Sequence, residues 1–256
     1  MHPGKVLLIK LRPEFSAEVY MRPKIICHMI SSVDGRLQVE RWTPPSGNVD
    51  QSIVSTTYES IAGRLQGDGW IVGRKSMAPM AKGKPVVSPA AGVNLRTTFI
   101  GERQDRSLAI AVDPAGKLHY GKSHMSDEHY VAVLGKNVPD SYLAELRETG
   151  VSYLFAGDDG TDLAAAMETL SKDFAVETLL LEGGGVTNGY FLKAGLIDEL
   201  SLLVYPGIDG LAGVSSIFEY PGDTDEQPAA GYTLRLLSSE VLEGGIVWLR
   251  YQFEKL

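Results

Sequence analysis

Apolar strand-like runs alternate strictly with helix-like segments between residues 139 and 207. Strands are predicted at 151–157, 176–183 and 198–207, and helices at 139–149, 161–173 and 185–195. Parallel strands need a long crossover connection, usually a helix, whereas antiparallel strands can be joined by a tight turn. The alternation therefore predicts an α/β fold whose central sheet is mainly parallel, with right-handed crossovers.

Segments on either side of this region extend the predicted sheet. Further strands are predicted at 24–30, 69–72, 107–113 and 130–135, and a helix at 52–65. Residues 232–242 and 245–253 are separated only by a glutamate–glycine–glycine turn, which predicts an antiparallel hairpin at one edge. Residues 1–22 have brief apolar runs interrupted by prolines, so we expect an N-terminal extension followed by a single domain over residues 23–256.

Composition narrows the possible functions. The chain has 256 residues and a net charge of −8, which argues against sequence-independent binding of nucleic acid. Cys27 is the only cysteine, which fits a reducing compartment, and its apolar surroundings are typical of an inert core thiol. No apolar run reaches the length of a membrane span or a signal-peptide core. We therefore expect a cytoplasmic protein that acts on a small-molecule substrate and binds neither nucleic acid nor membranes.

Three consecutive glycines, Gly183 to Gly185, stand where a predicted strand meets a predicted helix. Unobstructed N–H groups at a helix N-terminus attract anions, so this turn predicts phosphate binding, and a tight turn without a ligand is the alternative. The spacing does not match the dinucleotide fingerprint G-x-G-x-x-G, because Asn188 occupies the position of the third glycine. Residues 73–84 carry four cations and no acid, which also favours an anionic small molecule.

Two other motifs are interpreted as structural. Residues 116–123 match the P-loop pattern G-x-x-x-x-G-K-[ST], but too few residues follow before the next β-rich run to form the required helix. We interpret this match as a surface loop, and keep a nucleotide hydrolase as a remote alternative. His119, His124 and His129 are spaced so that they point to different sides of a helix or strand, so we predict no metal site.

Two carboxylates follow predicted strands. Asp34 comes after a buried strand in the run Ser31-Ser32-Val33-Asp34, and Glu182 directly precedes the three glycines. Ligands of open α/β sheets bind at the carboxyl ends of the strands, so this pair of carboxylates marks a candidate site.

Three stretches of the chain resemble the reductase domain of the bifunctional deaminase/reductase family of riboflavin biosynthesis, within the dihydrofolate reductase-like superfamily. RPKIICHMISSVDGRL (22–37) resembles its opening, GWIVGRKS (69–76) its second motif, and LLLEGGGVTNGYFLKAGLIDELSLLVYPGIDG (179–210) its third and most specific motif. The resemblance implies a three-layer dihydrofolate reductase-like fold and a homodimer. It also implies an NADPH-dependent reductase that converts a ribosylaminopyrimidine phosphate to its ribitylamino form.

The resemblance further implies roles for individual residues. Asp34 and Glu182 would face the substrate as catalytic carboxylates, with His28 at the position of a family lysine. Cofactor contacts are expected at Gly73, Arg74, Ser76, Gly183, Gly184, Gly185 and Val186, and substrate contacts at Ser32 and at Arg64, which would bind the substrate phosphate. Chemically, hydride addition to an imine is helped by a proton on nitrogen, and a shielded carboxyl group can keep its proton near neutral pH.

The chain departs from the family pattern in three places. His28 either donates or accepts a proton in the site, or is a buried neutral histidine satisfied by the backbone. Residues 78–81, Ala-Pro-Met-Ala, replace an Ala-Asp-Asp-Pro stretch. The zinc-binding motif of the deaminase domain is absent, so we expect a stand-alone reductase that does not perform the deaminase step. The departures leave open a different heterocyclic, imine or carbonyl substrate, including dihydrofolate-like pterins, and a cofactor-binding protein without catalysis.

Overall fold

Every strand predicted from the sequence enters one ten-stranded sheet in the computed structural model, which describes residues 22–47, 49–86 and 95–256. The strands are β1 (Lys24–Ser32), β2 (Gly69–Gly73), β3 (Ser107–Val112), β4 (His124–Met125), β5 (Glu128–Leu134), β6 (Ser152–Phe155), β7 (Thr178–Leu181), β8 (Glu199–Tyr205), β9 (Tyr232–Val241) and β10 (Val247–Lys255). The helices are α1 (Ile53–Leu65), α2 (Arg74–Met77), α3 (Asp140–Thr149), α4 (Leu163–Phe174) and α5 (Gly185–Lys193). The N-terminal extension expected from the sequence lies, except for Arg22, outside the described residues.

The order of strands across the sheet is β4-β5-β3-β2-β7-β1-β8-β10-β9, with β6 also paired to β5. The run from β6 through β5, β3, β2, β7 and β1 to β8 is parallel throughout. β10 pairs antiparallel with both β8 and β9. The mainly parallel sheet and the C-terminal antiparallel hairpin predicted from the sequence are therefore confirmed. Because β2, β7 and β1 are neighbours, the carboxyl ends of these three strands meet at one part of the sheet edge.

Helices cover both faces of the sheet, which gives the fold three layers. Ile71 and Val72 are adjacent on β2 but belong to cores on opposite faces, as the two-residue period of a strand requires. The core around Ile71 packs against α4 and α5, and the core around Val72 packs against α3. α1 packs over β8 and β10 in a third apolar cluster. Cys27 is fully buried in the same core as Ile71, and burial raises the pKa of its thiol.

Apart from short 3-10 turns at Val39–Arg41 and Glu243–Gly245, one helix and one strand are missing from the sequence-based prediction. α2 is a single turn that begins directly after β2, and β4 is a two-residue strand antiparallel to the start of β5. Neither element is long enough to show a period in the sequence. β7 ends at Leu181, earlier than predicted, so that Glu182 and Gly183 belong to the connection with α5. Within the described ranges, none of the helices is both long and apolar enough to cross a membrane.

Close contact between β2 and β3 requires glycine at residue 69. A Cβ at this position would lie 2.4 Å from the carbonyl oxygen of Leu108. We expect Gly69→Ala to lower the free energy of unfolding by about 1–3 kcal/mol, the usual cost of overpacking. Gly63 in α1 is the matched control, since nothing lies within 4 Å of its Cβ position. Gly63→Ala should raise the free energy of unfolding by up to about 1 kcal/mol through helix propensity. Urea unfolding measures both changes, and equal midpoints for the two variants would contradict this account of β2.

Candidate active site

A cavity of about 550 Å³ opens at the carboxyl ends of β2, β3 and β7. Its walls come from segments that are distant in the sequence, chiefly residues 37–38, 73–76, 159–161 and 184–187. Ligands of parallel sheets bind in this position. Of the cofactor residues predicted from the sequence, Gly73, Arg74, Ser76, Gly184, Gly185 and Val186 line the cavity, and Gly183 lies directly before them in the chain.

Two hydrogen bonds join the turns that follow β2 and β7. The N–H of Gly73 donates to the carbonyl oxygen of Gly183 at 2.7 Å, and the N–H of Gly184 donates to Ser76 Oγ at 3.1 Å. Gly183 has a φ of +90°, a conformation that favours glycine, and its peptide bond to Gly184 is cis. A Cβ at Gly73 would lie 2.2 Å from Thr187 Oγ1, so the contact between the two turns also depends on glycine there.

The absence of a side chain at Gly184 and at Gly185 has a different structural reason at each residue. A Cβ at Gly185 would lie 2.1 Å from the carbonyl oxygen of Ser216, so packing requires this glycine. At Gly184 the backbone is extended, and the nearest atom to a Cβ would be Ser76 Oγ at 3.8 Å. The protein therefore has room for a side chain at residue 184, and glycine leaves that space open to the cavity.

The start of α5, in the cavity wall, has three features that favour an anion. The N–H groups of residues 185–187 have no hydrogen-bond partner within the part of the chain that the structure describes. They stand at the positive end of a nine-residue helix. Arg74 and Lys75 line the same cavity. Free N–H groups, the helix dipole and two cations together favour a phosphate or pyrophosphate group.

Glu182, two residues before Gly184, has the properties of an acid that keeps its proton. The pKa of its carboxyl group is raised to about 8, mainly by burial and also by the charge of Glu128, while the nearby Tyr58 hydroxyl acts to lower it. At neutral pH this half-buried carboxyl group is mainly protonated, so it can donate a proton.

Asp34 has the opposite character, because both of its oxygens already accept hydrogen bonds. Ser32 Oγ and the N–H of Asp209 donate to Oδ1 at 2.6 and 3.1 Å, and the N–H of Gly210 donates to Oδ2 at 2.8 Å. The Ser32 hydroxyl, followed by the Gly210 N–H, lowers the pKa of Asp34 to about 2. Asp34 is therefore a fixed carboxylate that attaches the loop after β8 to the end of β1.

His28 is fully buried, and both of its ring nitrogens have partners within the fold. Nδ1 lies 3.1 Å from Ser201 Oγ, and Nε2 lies 3.2 Å from the carbonyl oxygen of Tyr58. Burial lowers the pKa of the imidazole to about 4, so the ring is neutral at neutral pH. This arrangement matches the alternative of a buried neutral histidine, and the ring presents no cation to the cavity.

Arg64 lies against the C-terminal hairpin. Its guanidinium pairs with Glu240 of β9 at 3.0 Å and stacks over the ring of Trp248 of β10 at 4.4 Å. No contact between described residues joins it to Ser32, Asp34 or the glycine turn. The structure thus brings most of the predicted cofactor residues together around one cavity. Glu182 precedes Gly184 by two residues but is not among the residues that line the cavity, and Arg64 lies in a separate ion pair.

The P-loop match does not form a phosphate loop. Ser123 is followed by β4 and a turn, and the helix that a P-loop requires is absent from residues 124–134. Of the three histidines, His119 contacts Glu145, His124 contacts Ser123, and His129 contacts Ser152. Among residues 22–47, 49–86 and 95–256, no group of three histidine, cysteine or acidic side chains is arranged to hold a metal ion.

Sequence reasoning missed Tyr58 and Thr187. Tyr58 is one aromatic residue in an amphipathic helix, and only the packing of α1 against β1 brings it beside His28 and Glu182. Thr187 follows the glycine turn, and its proximity to Gly73 depends on the pairing of β2 with β7. Contacts between segments so distant in sequence leave no local signal.

Comparison with known proteins agrees with this geometry. The family model described as the RibD C-terminal domain matches residues 23–248. Over 107 residues the chain is 29% identical to the 2,5-diamino-6-ribosylamino-4(3H)-pyrimidinone 5′-phosphate reductase of Methanothermobacter thermautotrophicus. That match covers 41% of this chain and 49% of the relative, so it spans about half of the relative's length.

Solved structures share the fold at low sequence identity. A pyrimidine reductase-like protein of Corynebacterium diphtheriae has a TM-score of 0.65 at 19% identity, over 91% of this chain and 93% of that one. A riboflavin biosynthesis reductase of Saccharomyces cerevisiae has a TM-score of 0.57 at 16% identity, over 91% of each chain. RibD of Acinetobacter baumannii has a TM-score of 0.56 at 19% identity, over 92% of this chain and 59% of that one.

The resemblance found in three motifs thus extends over nearly all of the described chain. The family model covers β1 through the start of β10, and the shared fold places the glycine turn at the carboxyl edge of a parallel sheet. On this evidence the chain belongs to the RibD C-terminal domain family.

Proposed function

We propose that this chain is an NADPH-dependent reductase that converts a ribosylaminopyrimidine phosphate to its ribitylamino form. The observation that carries the proposal is the open anion site at Gly184, with the protonated carboxyl group of Glu182 two residues earlier. The relative from Methanothermobacter thermautotrophicus is named as a reductase of 2,5-diamino-6-ribosylamino-4(3H)-pyrimidinone 5′-phosphate, which supports this substrate class.

The residues of the cavity fit a dinucleotide. The free N–H groups of residues 185–187 would hold the pyrophosphate, and the bare backbone of Gly184 permits its close approach. Arg74 and Lys75 add cations for the phosphate groups. A reduced nicotinamide supplies the hydride when it is bound.

Glu182 is the proposed source of the proton. When hydride adds to C1 of the ring-opened imine, the C=N electron pair moves to nitrogen, which then needs a proton. Glu182 holds that proton at neutral pH because its pKa is raised to about 8. Asp34, with a pKa of about 2 and both oxygens engaged, is suited instead to shaping the substrate side of the site together with Ser32.

A second candidate is a reductase of a different heterocyclic, imine or carbonyl compound on the same fold. The buried, neutral ring of His28 favours it, because the site lacks the cation that a lysine would supply. The phosphate contact proposed for Arg64 also requires its ion pair with Glu240 to open. NADPH oxidation measured with the pyrimidinone phosphate and with dihydrofolate separates these candidates. Binding of NADPH with no oxidation by any such compound would favour a cofactor-binding protein without catalysis.

We also propose that the chain forms a homodimer through its C-terminal hairpin. β9 is the last strand of the sheet, and its long free edge is open to pairing. Leu234, Leu236 and Val241 on one face of β9 are 45%, 53% and 77% exposed. Val247 and Leu249 of β10 extend this face, so a second copy would cover a continuous apolar surface.

Replacement of Gly184 tests the cofactor site. Gly184→Val should weaken NADPH binding at least about tenfold, because the new side chain enters open space in the cavity. The free energy of unfolding should change little, since no protein atom lies within 3.4 Å of the Cβ position. Gly185→Ala is the contrast, because its Cβ meets the Ser216 carbonyl and should lower the urea midpoint. Cofactor fluorescence measures binding, and unchanged affinity in folded Gly184→Val would contradict the site.

Replacement of Glu182 tests the proton source. For the wild type, kcat/KM should fall above about pH 8, where Glu182 ionises. Glu182→Gln should lower kcat by about 10²–10⁴-fold and leave NADPH affinity nearly unchanged. Glu128→Gln is the control. It should move the alkaline fall of the kcat/KM–pH profile to lower pH, because the charge of Glu128 raises the pKa of Glu182. A Glu182→Gln enzyme with the wild-type rate would exclude this role.

Substitutions on the two faces of β9 test the proposed dimer. Leu236→Glu places a charge on the apolar face and should convert a dimer to a monomer in sedimentation at micromolar concentration. Thr233 lies on the same strand and on the other face, so Thr233→Glu should leave the dimer intact. A wild-type protein that sediments only as a monomer would remove this proposal.

A further inference from the structure

Tyr58 of α1 lies at the point where β1 and β7 separate. The pairing of these strands ends at Cys27 and Leu181. At His28, the residue after Cys27, the backbone carbonyl oxygen accepts a hydrogen bond from the Tyr58 hydroxyl at 3.0 Å. The Tyr58 ring stacks on the His28 ring, with centroids 4.3 Å apart and an interplanar angle of 22°. Tyr58 is therefore held to β1 by both its hydroxyl and its ring.

A buried chain of hydrogen bonds fixes the ring of His28 in turn. Trp248 Nε1, which can only donate, bonds to Ser201 Oγ at 2.8 Å. The Ser201 hydroxyl is then free to donate to His28 Nδ1, so Nε2 carries the ring proton and donates to the Tyr58 carbonyl. This assignment gives His28 a single neutral tautomer. Its Nδ1 accepts from Ser201, and its Nε2–H, on the other side of the ring, donates to the backbone carbonyl oxygen of Tyr58.

The Tyr58 hydroxyl has one proton and two nearby acceptors. One is the carbonyl oxygen of His28, and the other is the carboxyl group of Glu182, which follows Leu181 beside His28 where the β1–β7 pairing ends and whose pKa the Tyr58 hydroxyl lowers. A neutral carboxyl group competes poorly for this proton. An ionised carboxylate competes well, since a hydrogen bond to a charged group is about twice as strong as one between neutral groups.

We propose that Tyr58 is a positioning residue that stabilises Glu182 after the carboxyl group has given up its proton, by turning its hydroxyl from the His28 carbonyl to the new carboxylate. The inference rests on the proposed function, in which Glu182 is the acid. Protons balance: Glu182 loses one to the substrate nitrogen, Tyr58 keeps its own, and only a hydrogen bond changes partner. The pinned His28 ring keeps the tyrosine in reach of both acceptors.

Among the described residues that act on Glu182, only Tyr58 favours ionisation of the Glu182 carboxyl group. The negative charge of Glu128 of β5 raises the pKa of Glu182 and so disfavours a second negative charge. Burial raises the pKa of the Tyr58 hydroxyl and of the Cys27 thiol, and lowers the pKa of His28 to about 4, so all three stay neutral near neutral pH. Removal of the Tyr58 hydroxyl should therefore make Glu182 a weaker acid.

Tyr58→Phe tests the inference, because it keeps the stacked ring and removes only the hydroxyl. We expect the alkaline limb of kcat/KM to move up by about one pH unit, the effect of one hydrogen bond to a charged group. The single-turnover rate of NADPH oxidation with the pyrimidinone phosphate should fall several-fold at pH 7, with unchanged NADPH affinity. Tyr142→Phe is the matched control: it removes another buried tyrosine hydroxyl, which donates to the Leu118 carbonyl oxygen at 2.7 Å and is not among the groups that shift the pKa of Glu182, so the pH profile should not change.

A readout without substrate separates this inference from the proposed function. The carboxylic acid band of Glu182 in the infrared spectrum, assigned by its loss in Glu182→Gln, gives the midpoint of its titration in the free protein. Tyr58→Phe should raise that midpoint. An unchanged or lower midpoint overturns the inference, even if Glu182→Gln is inactive as the proposed function requires. A raised midpoint supports it, even if Glu182→Gln retains activity and the proposed acid fails.

Discussion

The junction of β2 and β7 determines the shape of the site. The Gly73 N–H bonds to the Gly183 carbonyl at 2.7 Å, and Ser76 Oγ accepts from the Gly184 N–H at 3.1 Å. These bonds hold the first turn of α2 beside the first turn of α5, so that the cations after β2 and the free N–H groups after β7 face one cavity. Two segments more than a hundred residues apart thus form one cavity wall, and its geometry is set by backbone atoms and by the short side chain of Ser76.

Next to this wall, the fold places two carboxyl groups in opposite states. Glu182 is shielded, lies near another acid, and keeps its proton at neutral pH. Asp34 receives donors from Ser32 and from the loop after β8, and is ionised. The contrast comes from surroundings, since Glu182 is shielded from water without enough donors, whereas the exposed Asp34 carboxylate accepts three hydrogen bonds from the protein. A protonated carboxyl group and a fixed negative charge therefore coexist at adjacent strand ends.

The sequence predicted the α/β alternation, the hairpin and most element boundaries to within a few residues, because each rests on local periodicity. The glycine turn was also readable, since a strand, bare backbone and a helix follow one another in the chain. The surroundings of His28 were not readable, because its partners Ser201 and Tyr58 come from β8 and α1, and their distances depend on strand register. The position of Arg64 was not readable for the same reason. Its partner Glu240 lies on β9, 176 residues later in the chain, and holds Arg64 apart from the other predicted site residues.

The bonds at Asp34 make one wall of the site resistant to acid. Its pKa is about 2 in the folded chain, against 3.8 for an ordinary aspartate, so the folded chain binds this proton less readily than the unfolded chain. The resulting contribution to stability is complete above the unfolded pKa and is lost only as the pH falls through about 4 toward 2. As the pH falls, ordinary surface carboxylates become protonated at a higher pH than Asp34 does. The loop after β8 therefore stays attached to β1 while much of the protein surface has already lost its negative charge.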